Sequence, residues 1–148
     1  MNIPLSQKHE QLLHRDIPIT RAMGIRVATY DGALLCLTAP LTANINDKGT
    51  AFGGSLYSLA VLCGWSLLHL KLNEAGRPHN IVIQEATTRY VLPVDRDFAA
   101  ECRISEESVA QLFASLNKNG RARVPLEILI KQDERHAVEF SGRYVVFK

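Results

Sequence analysis

The sequence predicts an α+β fold, a curved antiparallel sheet of about six strands wrapped around one long central helix. Three observations carry this expectation. The run from Ser55 to Leu72 is much the longest apolar stretch, and it is apolar on almost every side, so it must be surrounded rather than packed on one face. Short segments before and after it alternate apolar and polar residues with a period of two, as half-buried strands do. Most of the strand segments follow one another without helices between them, which favours an antiparallel sheet with the helix on one face.

Taken in order, residues 5–15 (LSQKHEQLLHR) read as a short amphipathic helix. Ser6 is its expected N-cap, and Leu12 and Leu13 lie on its apolar side. Pro18 ends that pattern, leaving 1–17 as a helical extension of a single domain, 1–148. Residues 24–30 and 33–39 are two strands joined at Asp31-Gly32, a dipeptide that favours the tight hairpin turn. Pro40 to Thr50 is a polar loop whose Asn, Asp and Gly suit turns. Gly53-Gly54-Ser55 opens the long helix, with Ser55 as the expected N-cap. A helix over 55–73 would run about 28 Å, and Gly76 and Pro78 stop it. Residues 80–92, 98–104, 125–131 and 137–147 read as strands. Residues 105–120 read as a short helix or a flexible excursion.

The chain has 148 residues, 47% hydrophobic and 22% charged, which excludes disordered and low-complexity architectures. Its net charge of +2 is too small to argue for nucleic acid by itself, and no nucleic-acid partner is expected. Cys36, Cys63 and Cys102 are odd in number, widely spaced and without a CxxC. That pattern fits a reducing cytoplasm better than a disulfide scaffold or a structural zinc site. Histidines 9, 14, 69, 79 and 136 have no metal-ligand spacing, so no metal is expected. The first sixteen residues lack the apolar core of a secretory signal. Polar residues interrupt the long apolar run, and its longest unbroken stretch is Leu59 to Trp65, so a buried helix is expected rather than a membrane span.

The segment Asn46-Asp47-Lys48-Gly49-Thr50-Ala51-Phe52-Gly53-Gly54-Ser55 resembles the N-x-x-G-x-x-H-G-G signature of small hotdog-fold thioesterases. Arg89-Tyr90-Val91-Leu92-Pro93 resembles the end of the strand that follows the helix in that family, and the likeness covers residues 18–148. A closer likeness rests on Asn44-Ile45-Asn46, Thr50-Ala51-Phe52, Ser55-Leu56-Tyr57 and Gly64-Trp65. These resemble a hotdog subgroup of thioesterase-like domains that also occurs fused to acetyltransferase domains. The subgroup includes malonyl-ACP decarboxylases that supply acetyl primers for fatty acid synthesis. The resemblance puts their key asparagine at Asn46. It implies an acyl carrier protein or CoA thioester as partner, and no cofactor beyond the phosphopantetheine arm the substrate carries. It also implies clefts between subunits. With the open edges of such a sheet, this predicts a homodimer or larger assembly.

The glycine-flanked helix start carries backbone N–H groups without intrahelical partners, and the helix dipole adds to their pull on a developing oxyanion. Asn46, Gly54 and Ser55 are therefore candidate catalytic residues, with Asn44, Thr50, Phe52, Gly53 and Tyr57 lining the substrate. A thioesterase also needs a base to activate water. Here Phe52 stands where the signature has histidine, and Val61 stands where many relatives carry an acid. The remaining candidate bases are Asp47 and Glu85, the latter in phase with Ile81 and Ile83 and expected on their side of the strand. Decarboxylation of a malonyl thioester needs no base, only orientation and enolate stabilisation. It is the first expectation; acyl-CoA or acyl-ACP hydrolysis is the alternative, and a non-catalytic acyl-thioester binding module is the third. Lys118, Arg121 and Arg123 form a basic cluster suited to an acidic carrier or to CoA phosphates.

Overall fold

The two alternating runs around Asp31-Gly32 form β1 (Arg26–Tyr30) and β2 (Leu34–Ala39), paired antiparallel. The turn closes as its residues dictate: Gly32 takes a positive φ of 97°, and the Asp31 carboxylate accepts from the Ala33 and Leu34 N–H groups. The computed structural model describes residues 2–148.

Ahead of this hairpin, α1 spans Leu5–Asp16 and buries His9 and Leu13. Its N-cap is Pro4, which has no side chain to give, so Ser6 lies inside the helix rather than capping it. A four-residue helix, α2 (Ile19–Ala22), follows Pro18.

The apolar run becomes α3, Gly53–Glu74. It starts two residues before the expected position because the Phe52 carbonyl already accepts from the Ser55 and Leu56 N–H groups. Phe52 is thus the N-cap, and Ser55 is the third helical residue. Four strands and one helix complete the chain: β3 (Asn80–Tyr90), β4 (Phe98–Arg103), α4 (Glu106–Asn119), β5 (Arg121–Gln132) and β6 (Arg135–Phe147). Residues 105–120 settle as a helix because Ser105 accepts from the Ser108 N–H and Gly120 closes the end in left-handed conformation. β5 begins earlier than expected and turns into β6 at Asp133-Glu134, both at positive φ.

All six strands form one antiparallel sheet in the order β1-β2-β4-β5-β6-β3. Its concave face holds α3, which touches β2 through β6. Alternation decides which side chains meet the helix: Leu35 and Leu37 on β2, Ala100 and Cys102 on β4, Leu126, Ile128 and Ile130 on β5, and Phe140, Tyr144 and Val146 on β6 are all buried. Among the described helices α3 alone is long and apolar enough to cross a membrane, and it is the buried core helix. The enclosure has one opening. Tyr57, Val61, Trp65 and His69 form a less buried stripe along α3, and α1 covers part of it by placing His9, its ring tilted, near Trp65 and His69.

β3 is an edge strand and carries a bulge between Ile83 and Glu85, where Ile83 pairs with Tyr144 and Glu85 with Arg143. The extra residue reverses the alternation. Ile81 and Ile83 face the helix, but Glu85 does not share their side; it lies exposed on the outer face, ion-paired to Arg143.

Candidate functional site

The α3 tip is built by a short loop that folds back on itself. Ile45 bridges to Ala51, the Asn46 N–H donates to the Thr50 carbonyl, and the Phe52 N–H donates to the Asn44 carbonyl. Asn44 is buried and anchors the loop by donating from Nδ2 to the Met23 and Pro40 carbonyls at 2.9 and 2.8 Å. Gly49, at φ 81°, makes the reversal. The loop delivers Gly53 and Gly54 as the first two helical residues, and no described residue accepts from their N–H groups. The Ser55 N–H, by contrast, is spent on the Phe52 carbonyl at 2.9 Å, so it is not one of the free donors.

Two aromatic rings frame those donors. The Phe52 ring lies on Gly54 so closely that a Cβ there would overlap it. The Tyr90 ring lies against Gly53, with its carbons 3.6 and 3.7 Å from where a Cβ would stand, and its hydroxyl donates to the Gly53 carbonyl at 3.1 Å. Close approach thus explains the glycine at 54, whereas a Cβ at 53 would meet Tyr90 only at ordinary contact distance. Tyr57, one turn further, packs edge-on against Phe140 with ring centroids 5.5 Å apart. The sequence alone gives Tyr90 no role beyond its place at the end of the strand after the helix.

Asn46 sits half-buried in the loop with its amide turned inward. Its Oδ1 accepts from the Lys48 and Thr50 N–H groups at 2.8 and 3.0 Å. Its Nδ2 donates to Thr50 Oγ1 at 2.8 Å and has only a long 3.5 Å contact with the Ala51 carbonyl. One amide hydrogen is therefore weakly held. No hydrogen bond ties Asn46 to Gly53 or Gly54 within the chain.

Neither candidate base is hydrogen-bonded to the tip donors. Asp47 is exposed on the loop beside Lys48, and Glu85 is on the outer face of the sheet. Val61, on the half-open stripe, offers only its carbonyl, which accepts from the Tyr144 hydroxyl. The basic cluster is also elsewhere. Lys118 is in the last turn of α4, and Arg121 and Arg123 point outward from β5. Register aligns Arg123 with Val145 and Val82, at the opposite end of β3 from Tyr90, so about 26 Å of strand separates that row from the tip.

The tip is open to solvent in a single chain. Ile45, Phe52, Tyr57, Tyr90 and Val91 are large apolar or aromatic residues that remain well exposed there, an unusual grouping for a free surface. Surface hollows occur on the outer face of the sheet, as beside Thr87, Ser141 and Arg143, and Gly53 and Gly54 do not line them.

Residues 6–148 match the model of a family described as "Putative thioesterase (yiiD_Cterm)". A protein of unknown function from Chlorobaculum tepidum is 38% identical, with a TM-score of 0.92 over 97% of this chain and 94% of its own. A protein from Shewanella oneidensis, described as a "putative thioesterase", is 30% identical, with a TM-score of 0.88 over 97% of this chain and 98% of its own. A thioesterase from Haemophilus influenzae shares the fold at 15% identity, with a TM-score of 0.76 over 99% of this chain and 93% of its own.

Proposed function

The chain belongs to the thioesterase family whose model it matches, with the hotdog fold, and on that premise we propose that it decarboxylates a malonyl thioester to the acetyl thioester. The observation that supports this reading is the make-up of the tip. Two backbone donors without acceptors among the described residues stand between Phe52 and Tyr90, and the two candidate bases are engaged elsewhere, Asp47 with Lys48 and Glu85 with Arg143.

Decarboxylation suits such a place. The bond to the carboxylate carbon breaks, CO2 departs, and the electron pair passes into the thioester carbonyl as an enolate. The protein has to hold the carboxylate out of the carbonyl plane, exclude water and stabilise the enolate oxygen. The Gly53 and Gly54 N–H groups, at the positive end of a 22-residue helix, would meet that oxygen. A donor of this kind is worth about 2.7–4 kcal/mol in the transition state. Asn46 would add the amide hydrogen that Ala51 holds only loosely, while Asn44 and Thr50 keep the loop in shape.

Hydrolysis is the second reading, favoured by the thioesterase description of the family and its neighbours. It requires a base, and Asp47 or Glu85 would have to be brought to the tip from a second subunit.

A homodimer joined along the free edge of β3 would cover the apolar residues around the tip and turn it into a dry cleft. Antiparallel pairing of two β3 strands would also set the Lys118, Arg121 and Arg123 end of one copy beside the tip of the other. There it would meet an acidic carrier protein or the phosphates of CoA.

The deciding experiment incubates the protein with malonyl-ACP, malonyl-CoA and a medium-chain acyl-CoA, following CO2, acetyl thioester and free thiol. CO2 and acetyl thioester without thiol support decarboxylation. Free thiol makes the protein a hydrolase. Binding without either product makes it an acyl-thioester binding module.

A further inference from the structure

We infer that Tyr90 is the proton donor that completes this decarboxylation, an inference that rests on the reading above. Loss of CO2 leaves the former methylene as the terminal carbon of an enolate, and the acetyl product needs a proton on that carbon.

Residues 44–58 and Tyr90, the last residue of β3, carry five hydroxyls: those of Thr50, Ser55, Tyr57, Ser58 and Tyr90. An alcohol holds its proton far more tightly than a phenol, which narrows the choice to the tyrosines. The Ser58 hydroxyl is moreover committed along the helix, donating to the Gly54 carbonyl at 2.8 Å. Tyr57 is a turn into the helix, with its ring edge-on to Phe140. Tyr90 is against the tip itself. Its hydroxyl donates to the carbonyl of Gly53, whose own N–H is one of the two free donors, so the phenol is bonded to the residue that supplies an oxyanion donor. The 3.1 Å bond is long for a hydroxyl donor, and its hydrogen can pass to a better acceptor. Burial, and then the neighbouring Tyr57, hold the Tyr90 phenol above its ordinary value, so it is neutral and keeps its proton at neutral pH.

In the step, the Tyr90 O–H bond breaks, a C–H bond forms at the enolate carbon, and the enolate pair reverts to the thioester carbonyl. The tyrosinate recovers a proton from water. The sum is malonyl carboxylate plus one proton giving CO2 and acetyl thioester.

The test compares the full-length wild type with Tyr90→Phe on malonyl-ACP in carbon-13 bicarbonate. Tyr90→Phe is expected to lower kcat by about a hundredfold with little change in KM. It should also place the label in the carboxylate of unreacted malonyl thioester, because an enolate waiting for a proton recaptures CO2. Unchanged kcat without label overturns the inference, since water then suffices. A lower kcat without label also overturns it and makes Tyr90 a positioning residue. Label in Tyr57→Phe but not Tyr90→Phe overturns it in favour of Tyr57. Matching circular dichroism and Tm would show that the variant is folded; a variant that fails to fold is replaced by Tyr90→Trp, judged by the same label. Wild type that releases no CO2 overturns the parent reading and this one together.

Discussion

The Tyr144 hydroxyl donates to the Val61 carbonyl at 2.7 Å, and its ring fills the notch that Gly64 leaves in the middle of α3. Tyr144 is fully buried, and a Cβ on Gly64 would overlap its hydroxyl. Gly64→Ala should therefore destabilise the fold by about 1–3 kcal/mol through overpacking, despite the better helix propensity of alanine. Tyr144→Phe should cost about 1 kcal/mol for the lost bond. The double variant should be more stable than the sum of the two, because the removed oxygen is the atom that clashes most. Urea unfolding of the four proteins checks this.

Stability should fall on mild acidification because of His9. It is buried, its Nε2 has no partner, and burial followed by the nearby His69 lowers its pKa from 6.5 to about 4. The unfolded chain takes up this proton first as pH drops below 6.5. The contribution is thus complete above about pH 6.5 and is lost towards pH 4, at roughly 1.4 kcal/mol per pH unit. His69 is lowered too, by burial, and acts in the same direction. Between pH 7 and 5 the wild type should lose about 1–2 kcal/mol more than His9→Leu. Fluorescence of Trp65, the single tryptophan, follows the unfolding, and equal losses would remove His9 from the account.

Asn46→Asp separates the two roles of that residue. A carboxylate keeps the bonds accepted from the Lys48 and Thr50 N–H groups but has no hydrogen to give. The Tm should move by only a few degrees, and CO2 release from malonyl-ACP should fall by about 10²–10³. Undiminished turnover would confine Asn46 to shaping the loop.

Assembly should respond to the edge of β3. Val82→Lys adds charge to that edge strand, where Val82 is half exposed. It should shift the protein towards monomer in sedimentation velocity and lower turnover in proportion. A monomeric variant with full activity would mean that one chain suffices.

Reversing Arg121 and Arg123 to Glu together should raise KM for an acyl carrier protein substrate by about tenfold or more at low ionic strength, with the difference narrowing as salt is added. An uncharged pantetheine thioester is the control. Equal effects on both substrates would argue against a charge-based docking surface.

The fold was readable because its signals are local and repeated. The all-round apolarity of residues 55–72 required a helix inside a sheet, and the alternations through Ala100 and Cys102, or Ile128 and Ile130, told which side met it. Boundaries were less readable. Ser6 and Ser55 have the right chemistry to cap, but the chain turned helical before each of them. Glu85 shows why the site was harder. Its expected side followed from counting by twos from Ile81, and a single bulge with no glycine or proline to announce it reversed the count.

Composition and periodicity determined the kind of elements, their order, and a glycine-flanked helix start suited to an oxyanion. These depend on each residue's own stereochemistry and on neighbours a few positions away. Only the tertiary structure decided that Tyr90 reaches Gly53, that Phe52 lies over Gly54, that Asn46 is turned into its own loop, and that Asp47 pairs with Lys48 in solvent while Glu85 pairs with Arg143 on the outer face. Those outcomes hang on contacts between residues distant in the chain, where a one-residue shift in register or a ring's rotation changes the partner without altering any local pattern.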